Sequence, residues 1–239
     1  MLSKEIPINN QLIQHFYIIG LDKNDIFSDK IYNEPLSKNI EPKIITKFPE
    51  LSYSYNNLPD SLILKHCFPI GFFGIELKYK SKPSSNIFYF SLENIPVNNL
   101  NNDMYKKIHF TCFEFYESLD NYYEIYKKKL NLLKKENSIS NEDNLKNYYF
   151  PKIICVASLL PFPHELGKIL SSIYHKYISE KSTKNYPLEK LIENLVMKIP
   201  YPGYGQSISY INFNEKIIMN RNAINKIQNN SVELNLLFS

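Results

Sequence analysis

One segment of this 239-residue chain constrains its fold more than any other. Residues 149–160 (YFPKIICVASLL) form an apolar run without polar alternation, which is typical of a strand that is covered on both faces. Two helical patterns follow at 163–177 and 187–199, with apolar residues at every third or fourth position. The prolines of the turn PYPGYG (200–205) end the second helix. The sequence therefore predicts a strand, two helices and a turn in this order, without an evident reacting group.

Shorter runs outside this segment predict further strands. Each run is apolar or rich in aromatic and β-branched residues, which is the composition that strands prefer. These runs are 15–21, 62–70, 87–92 and 108–116, followed by 207–213 and 216–219 as a closing hairpin.

The remaining stretches predict one more helix and the connections between elements. Residues 22–60 are polar and contain four prolines, so we expect a long connection there with one short helix at most. An apolar stripe with lysines opposite it predicts a helix over 118–135, and the polar residues 136–147 predict a surface loop. The element order indicates an α/β chain of the α+β type.

Charge and cysteine usage exclude several classes of function. The formal net charge is +4, and Arg221 is the one arginine among 28 basic residues. Because arginine supplies most of the bidentate recognition of bases and phosphates, we do not expect a nucleic-acid partner. The three cysteines (Cys67, Cys112 and Cys155) lie in separate apolar runs without a CxxC pair, which predicts reduced, buried thiols and no zinc site. No apolar run approaches the roughly 18 residues of a membrane span, so we expect a soluble intracellular protein.

Two histidine motifs are candidates for chemistry. His164 and Glu165 begin like the HExxH helix of metalloproteases, but Lys168 stands where the second histidine is needed. His66 and Cys67 could form a base and a nucleophile. If this segment is a strand, however, adjacent side chains point to opposite faces and cannot bond to each other.

The remaining candidates give no catalytic assignment either. Glu114 and Glu117 flank Tyr116, and two carboxylates could exchange protons, but without a partner geometry they indicate a solvated strand end. Neither a phosphate-binding loop nor a dinucleotide-binding glycine motif occurs. We therefore predict no catalytic residue, no metal ligand and no cofactor.

Several motifs in order resemble those of DENN-domain proteins. Residues 149–162 are similar to the PKCICLLS-x-x-PFF signature, 188–195 to the LE-x-x-I-x-x-L helix and 199–205 to the V-P-x-P-x-x-G turn. Upstream, further segments resemble the opening strand (16–21), the K-x-x-P segment (47–49), the FCFP-x-G motif (66–71) and the L-x-F-Y-E hairpin end (113–117). The structural positions of these family motifs are Phe68, Pro69, Gly71, Phe115, Tyr116, Glu117, Pro151, Lys152, Pro161, Pro200, Pro202 and Gly205.

The resemblance implies a fold and a domain organisation. It indicates an upstream DENN module with a longin-like fold, that is, a mostly antiparallel sheet flanked by helices. We expect a polar tail at 1–14, this module at 15–219 and the start of a core DENN module at 220–239. The exchange surface of the family uses both modules, so we expect the upstream module to be incomplete alone.

The resemblance also implies a function. DENN proteins promote GDP release from Rab GTPases by binding their switch regions, without covalent chemistry, so the expected partner is a GDP-bound Rab GTPase. Exchange-factor activity is expected if the core module is present, in the cytoplasm with peripheral recruitment to vesicle membranes. The alternatives are a longin-type scaffold or adaptor that binds partners without exchange and, less favoured because no nucleophile–base arrangement occurs, a hydrolase of small substrates.

Interfaces favour aromatic anchors with a charged rim, and this preference selects the candidate contact residues. We expect Tyr122 and Lys128, on the predicted helix 118–135, and Lys152, at the start of the central strand, to contact the partner.

Overall fold

Five strands form one antiparallel sheet in the computed structural model, which describes residues 11–22, 42–50, 58–69, 82–93, 107–118, 149–175, 188–212 and 215–221. Two further strands pair as a separate antiparallel hairpin. The order across the large sheet is β2-β1-β5-β4-β3. In chain order the elements are β1 (Ile13–Gly20), β2 (Lys43–Phe48), α1 (Asp60–Cys67), β3 (Asn86–Glu93), β4 (Lys107–Ser118), β5 (Tyr149–Ser158), α2 (Pro163–Ile173), α3 (Leu188–Lys198), β6 (Ser207–Asn212) and β7 (Glu215–Asn220).

The central strand β5 confirms the prediction of a strand covered on both faces. Alternate residues of a strand point to opposite faces of the sheet. Ile154 and Val156 join one buried cluster, whereas Ile153, Cys155 and Ala157 join the other. Within the described residues the sheet is therefore the middle layer, with two helices on one face (the two-helix face) and one helix on the other (the one-helix face).

The two-helix face is covered by α2 and α3, the two helices that the apolar stripes predict. Pro163 stands in the first turn of α2, where its missing N–H costs no helical hydrogen bond. Burying an aliphatic side chain contributes about 1.5–3 kcal/mol, so the stripes hold both helices on the sheet. They consist of Leu166, Ile169, Leu170 and Ile173 on α2 and of Leu191, Ile192, Leu195 and Val196 on α3. The hairpin β6–β7 adds Ile217 and Met219 to the same cluster.

The one-helix face is covered by α1, and here the prediction for residues 62–70 is wrong. The segment is a helix up to Cys67, not a strand. Ile63 and Cys67 are four residues apart and both are buried, so the helical period puts them on one face toward the sheet. Asp60 in the first turn and basic residues in the last turn match the helix dipole.

The prediction of a connection over residues 22–60 is also wrong where β2 lies. Lys43–Phe48 pairs with β1 at the edge of the sheet. Its residues are half-buried or exposed, so the strand lacks the apolar run that marks β5. Pairing with β1, rather than burial, makes this segment a strand.

The architecture confirms the predicted α+β fold, and its antiparallel sheet with flanking helices is consistent with a longin-like fold. The closing hairpin is confirmed as β6–β7. β1 begins two residues earlier than predicted, at Ile13, and Gln11 bridges to Pro200 before it. The predicted helix 118–135, the loop 136–147 and the proposed core-module start at 220–239 lie outside the described residues, apart from Ser118, which ends β4, and residues 220–221.

Candidate partner-binding surface

Lys152 lies at the sheet end where β1 and β4 finish and β5 begins. It is opposite Phe115, and Glu117 is opposite Phe150, so Lys152 and Glu117 are diagonal neighbours on the two-helix face. The Lys152 Nζ lies 3.1 Å from a Glu117 carboxylate oxygen, and the two side chains are only 12% and 19% exposed. The structure therefore places this lysine in a largely buried ion pair.

Gly20 at the end of β1 leaves space for the Lys152 stem. A Cβ atom built on Gly20 would stand 3.0 Å from Lys152 Cγ. Real Cβ atoms are seldom so close, and a larger residue at position 20 would push the lysine stem away. The missing side chain of Gly20 thus leaves room for the Lys152 stem.

An aromatic cluster extends the same face from Lys152. The Tyr174 ring lies 4.6 Å from that of Phe115, which is the residue opposite Lys152. Lys82 donates a hydrogen bond of 2.8 Å to the Tyr174 hydroxyl. We call Lys82, Glu117, Lys152 and Tyr174 the Lys152 surface. Lys82 is its exposed member, whereas Tyr174 is buried and Lys152 and Glu117 are largely buried. Of the residue types that are enriched at protein interfaces, it contains the tyrosine.

Glu114 and Glu117 do not form a carboxylate pair. They are three residues apart on β4, so they point to opposite faces of the sheet. Tyr116 donates a hydrogen bond of 3.3 Å to Glu114, whose pKa is raised by burial. Each carboxylate has its own local partner, and the arrangement gives no acid–base dyad.

The other predicted contact residues and motif positions have different locations. Tyr122, Lys128 and Gly71 lie outside the described residues. Phe115 and Pro151 are buried in the sheet, and Phe68 is half-buried at the end of α1. Pro69, Pro161 and Pro200 are exposed, whereas Pro202 is buried.

Arg221 holds the proline turn against the hairpin, a role that the sequence alone does not reveal. Its guanidinium carbon lies 3.6 Å from the centre of the Tyr204 ring and 4.9 Å from that of Tyr201. Its Nη1 donates a 2.9 Å hydrogen bond to the Pro202 carbonyl oxygen. Gly205 has a φ of 74° and donates its N–H to the Arg221 carbonyl oxygen at 2.8 Å. Only glycine adopts this conformation at little cost, which explains this motif position.

The histidine motifs give no reacting pair. His66 is exposed and stacks on Phe90 at 4.8 Å, whereas Cys67 is buried. His164 and Lys168 are exposed on α2. Among the residues that the structure describes, no group of three or more His, Cys, Asp or Glu is arranged to hold a metal ion. Within the same ranges, no helix has both the length and the apolar character needed to cross a bilayer.

A comparison of the chain with models of known families gives a match over its last 91 residues. Residues 149–239 match the model of the DENN (AEX-3) domain. This range begins at the first residue of β5 and includes α2, α3, the proline turn and the hairpin. No solved structure matches the chain. The family match supports the predicted resemblance, and its range contains Lys152 but not Glu117.

Proposed function

We infer that this DENN-domain protein acts as part of a guanine nucleotide exchange factor for Rab GTPases in membrane trafficking. It binds the switch regions of a GDP-bound Rab protein and promotes GDP release. The observation that carries the proposal is the DENN-domain match at residues 149–239, which includes the central strand and both helices of the two-helix face. The remaining strands of the sheet come from residues before that match, so both parts of the chain build the proposed binding module.

The chemistry of the described residues fits this proposal. An exchange factor needs no nucleophile, because the bond that it weakens is the noncovalent contact between the GTPase and GDP. The His66, Cys67 and His164 side chains form no catalytic constellation, and the two carboxylates Glu114 and Glu117 are on opposite faces. A surface that recognises another protein is sufficient for this activity.

Thermodynamic linkage gives a direct test of the proposal. If the protein lowers the affinity of a Rab GTPase for GDP, GDP must lower the affinity of that GTPase for the protein by the same factor. We therefore expect the full-length gene product to bind a nucleotide-free Rab protein more tightly than the GDP-bound form. Calorimetry or biolayer interferometry against a Rab panel would measure both affinities.

The outcomes of this test separate exchange from scaffolding. Preference for the nucleotide-free form supports exchange, whereas equal affinity for both forms indicates a longin-type scaffold or adaptor. Absence of binding to every member of the panel would contradict the Rab assignment.

The proposed contact residues are tested by alanine substitutions in the same assay. We expect Tyr122→Ala, Lys128→Ala and Lys152→Ala to weaken Rab binding, since interfaces favour aromatic anchors with a charged rim. Lys168, exposed on α2, and Tyr89, exposed on β3, provide matched controls outside the Lys152 surface. Unchanged affinity after the three substitutions would refute this choice of residues. Because Lys152 also pairs with Glu117, its variant requires a parallel check of folding by circular dichroism.

We further propose a cytoplasmic location with peripheral recruitment to vesicle membranes. Rab GTPases act on the cytoplasmic surface of membranes, so an exchange factor must reach them from that side. Cell fractionation before and after depletion of the cognate Rab protein would test whether recruitment depends on the partner.

A further inference from the structure

The two edges of the five-stranded sheet are built differently. β2 forms one edge and β3 forms the other. β2 has the exposed Lys43 at its first position and Lys47 near its last, and its pairing with β1 contains a register shift. Lysines and bulges are the means by which proteins keep an edge strand from pairing with another chain. β2 is therefore a protected edge.

β3 lacks these protective features. It pairs with β4 in an unbroken register from Asn86 to Glu93, and its residues 87–92 (IFYFSL) contain neither a proline nor a charge. A run of this composition has a strong tendency to pair with another strand. Among the residues that the structure describes, no strand pairs with the outer side of β3. Within these ranges, β3 therefore presents an open row of backbone N–H and C=O groups.

Exposed apolar side chains lie on the same strand. Ile87 is 44% exposed and Tyr89 is 59% exposed. Ile87 is opposite Phe113, which packs in the cluster of the two-helix face, so Ile87 and Tyr89 point to that face. On the other face, the Phe90 ring stacks on that of Phe110 with 4.7 Å between their centres. The core thus holds β3 in place while two of its apolar side chains remain in contact with solvent.

We propose that β3 pairs with β3 of a second copy of this chain, antiparallel and centred on Tyr89. Lys82 precedes the strand and Glu93 ends it, so the two ends carry opposite charges. Antiparallel pairing puts the Lys82 end of one copy beside the Glu93 end of the other, whereas parallel pairing would put like charges together. Centring on Tyr89 joins residues 86–92 of both copies and makes Ile87 a diagonal neighbour of Tyr89 of the second copy.

The protected edges determine the size of the assembly. Once the two β3 strands are paired, the remaining edges of the joined sheet are the two β2 strands, so the assembly closes as a dimer and does not extend into a fibre. Directly opposite residues share a face, so the two-helix faces of both copies lie on the same side. Pairing of one short strand buries little surface, so we expect a weak, concentration-dependent dimer. This pairing does not depend on the proposed exchange activity.

Sedimentation velocity and hydrogen exchange of the full-length protein test the proposal. We expect a monomer–dimer equilibrium that shifts toward the dimer as the protein concentration rises. The backbone N–H groups of β3 should then exchange more slowly, while those of β2 keep their rates. A protein that stays monomeric at every concentration would overturn the proposal, as would a dimer without slower exchange in β3. Protection of β3 that is independent of concentration would overturn it too, because that protection comes from within the chain.

Substitutions at Tyr89 test the centre of the pairing. Tyr89→Lys puts like charges opposite each other, so we expect the Kd of the dimer to rise by at least about tenfold. Ile218 on β7, 47% exposed, is the matched control, and Ile218→Lys should leave the Kd unchanged. Circular dichroism checks that both variants fold.

A covalent trap keeps the proposal testable if Tyr89→Lys does not fold. Opposite Cβ atoms in an antiparallel pair are about 4.5–5.5 Å apart, so mild oxidation should link two copies of Tyr89→Cys through position 89 on a non-reducing gel. Ile218→Cys should stay unlinked under the same conditions. Equal linking of the two variants, or no linking of Tyr89→Cys, would contradict the proposed pairing.

Discussion

Two ion pairs of nearly equal length offer a test of how burial governs electrostatic stability in this fold. The Lys152–Glu117 pair is 3.1 Å long, with side chains 12% and 19% exposed. The Lys107–Glu93 pair is 3.0 Å long, with side chains 42% and 64% exposed. The N–O distance is therefore nearly the same in the two pairs. Because the pairs differ in exposure, the dielectric around the charges differs.

The magnitude of the difference follows from Coulomb's law. At 3.1 Å two unit charges attract with about 5 kcal/mol at an effective dielectric constant of 20, and with about 1.3 kcal/mol in water. Desolvation and side-chain entropy offset much of this gross attraction. We therefore expect a coupling energy of about 1.5–3 kcal/mol for Lys152–Glu117, the range of hydrogen bonds to charged groups. For the exposed Lys107–Glu93 pair we expect about 0.2–1 kcal/mol.

Double-mutant cycles measure both coupling energies with the same chemistry. The variants are Lys152→Met and Glu117→Gln for the buried pair, and Lys107→Met and Glu93→Gln for the exposed control. Urea unfolding is followed by far-UV circular dichroism, because the chain contains no tryptophan. Since added salt screens exposed charges more than buried ones, 1 M NaCl should weaken mainly the control pair. Equal coupling energies for the two pairs, or stronger coupling in the exposed one, would refute the argument from burial.

Three further predictions concern single buried or stacked residues. Burial lowers the pKa of His15 to about 4. As the pH falls, His15 is therefore protonated in the unfolded chain before it is protonated in the folded protein. The free energy of unfolding should therefore fall by up to roughly 3 kcal/mol between about pH 6.5 and 4, and His15→Leu should remove this part of the decline in a pH series of urea titrations. The buried Tyr17 hydroxyl has no hydrogen-bond partner within the described ranges, so Tyr17→Phe should stabilise the protein by about 1 kcal/mol in thermal unfolding, whereas Tyr116→Phe should not. Arg221→Lys keeps the charge but not the planar stacking on tyrosine, so hydrogen exchange at the Gly205 N–H should become faster. Unchanged exchange would contradict the role of Arg221 in holding the proline turn against the hairpin.

The sequence predicts those helices and strands whose own apolar pattern shows which of their faces are buried. β5 is apolar on both faces, and α2 and α3 carry complete apolar stripes, so local patterns are sufficient. The sequence does not predict β2, because this edge strand is specified by its partner β1 and not by an apolar run of its own. Residues 62–70 predict a strand where the structure has α1, because a short apolar run does not distinguish the helical period from the strand period.

The candidate site was less predictable, because it depends on strand register. The sequence selects Lys152 from its position, but the ion pair with Glu117 requires that β4 and β5 pair with Phe115 opposite Lys152. Likewise, the sequence predicts that the three cysteines are buried thiols, which is confirmed, but not that the Cys112 and Cys155 sulfur atoms lie 3.0 Å apart. Arg221 stands out in the composition, although its stacking on two tyrosines follows only from the fold.

The rate of GDP release is the most direct test of the proposed function. A panel of Rab proteins is loaded with fluorescent GDP, and the loss of fluorescence is followed after excess unlabelled nucleotide is added, with and without the full-length gene product. Exchange by a DENN-type factor predicts that release from at least one Rab protein becomes faster in proportion to the concentration of the added protein. Release rates that stay unchanged for every member of the panel would contradict the proposal.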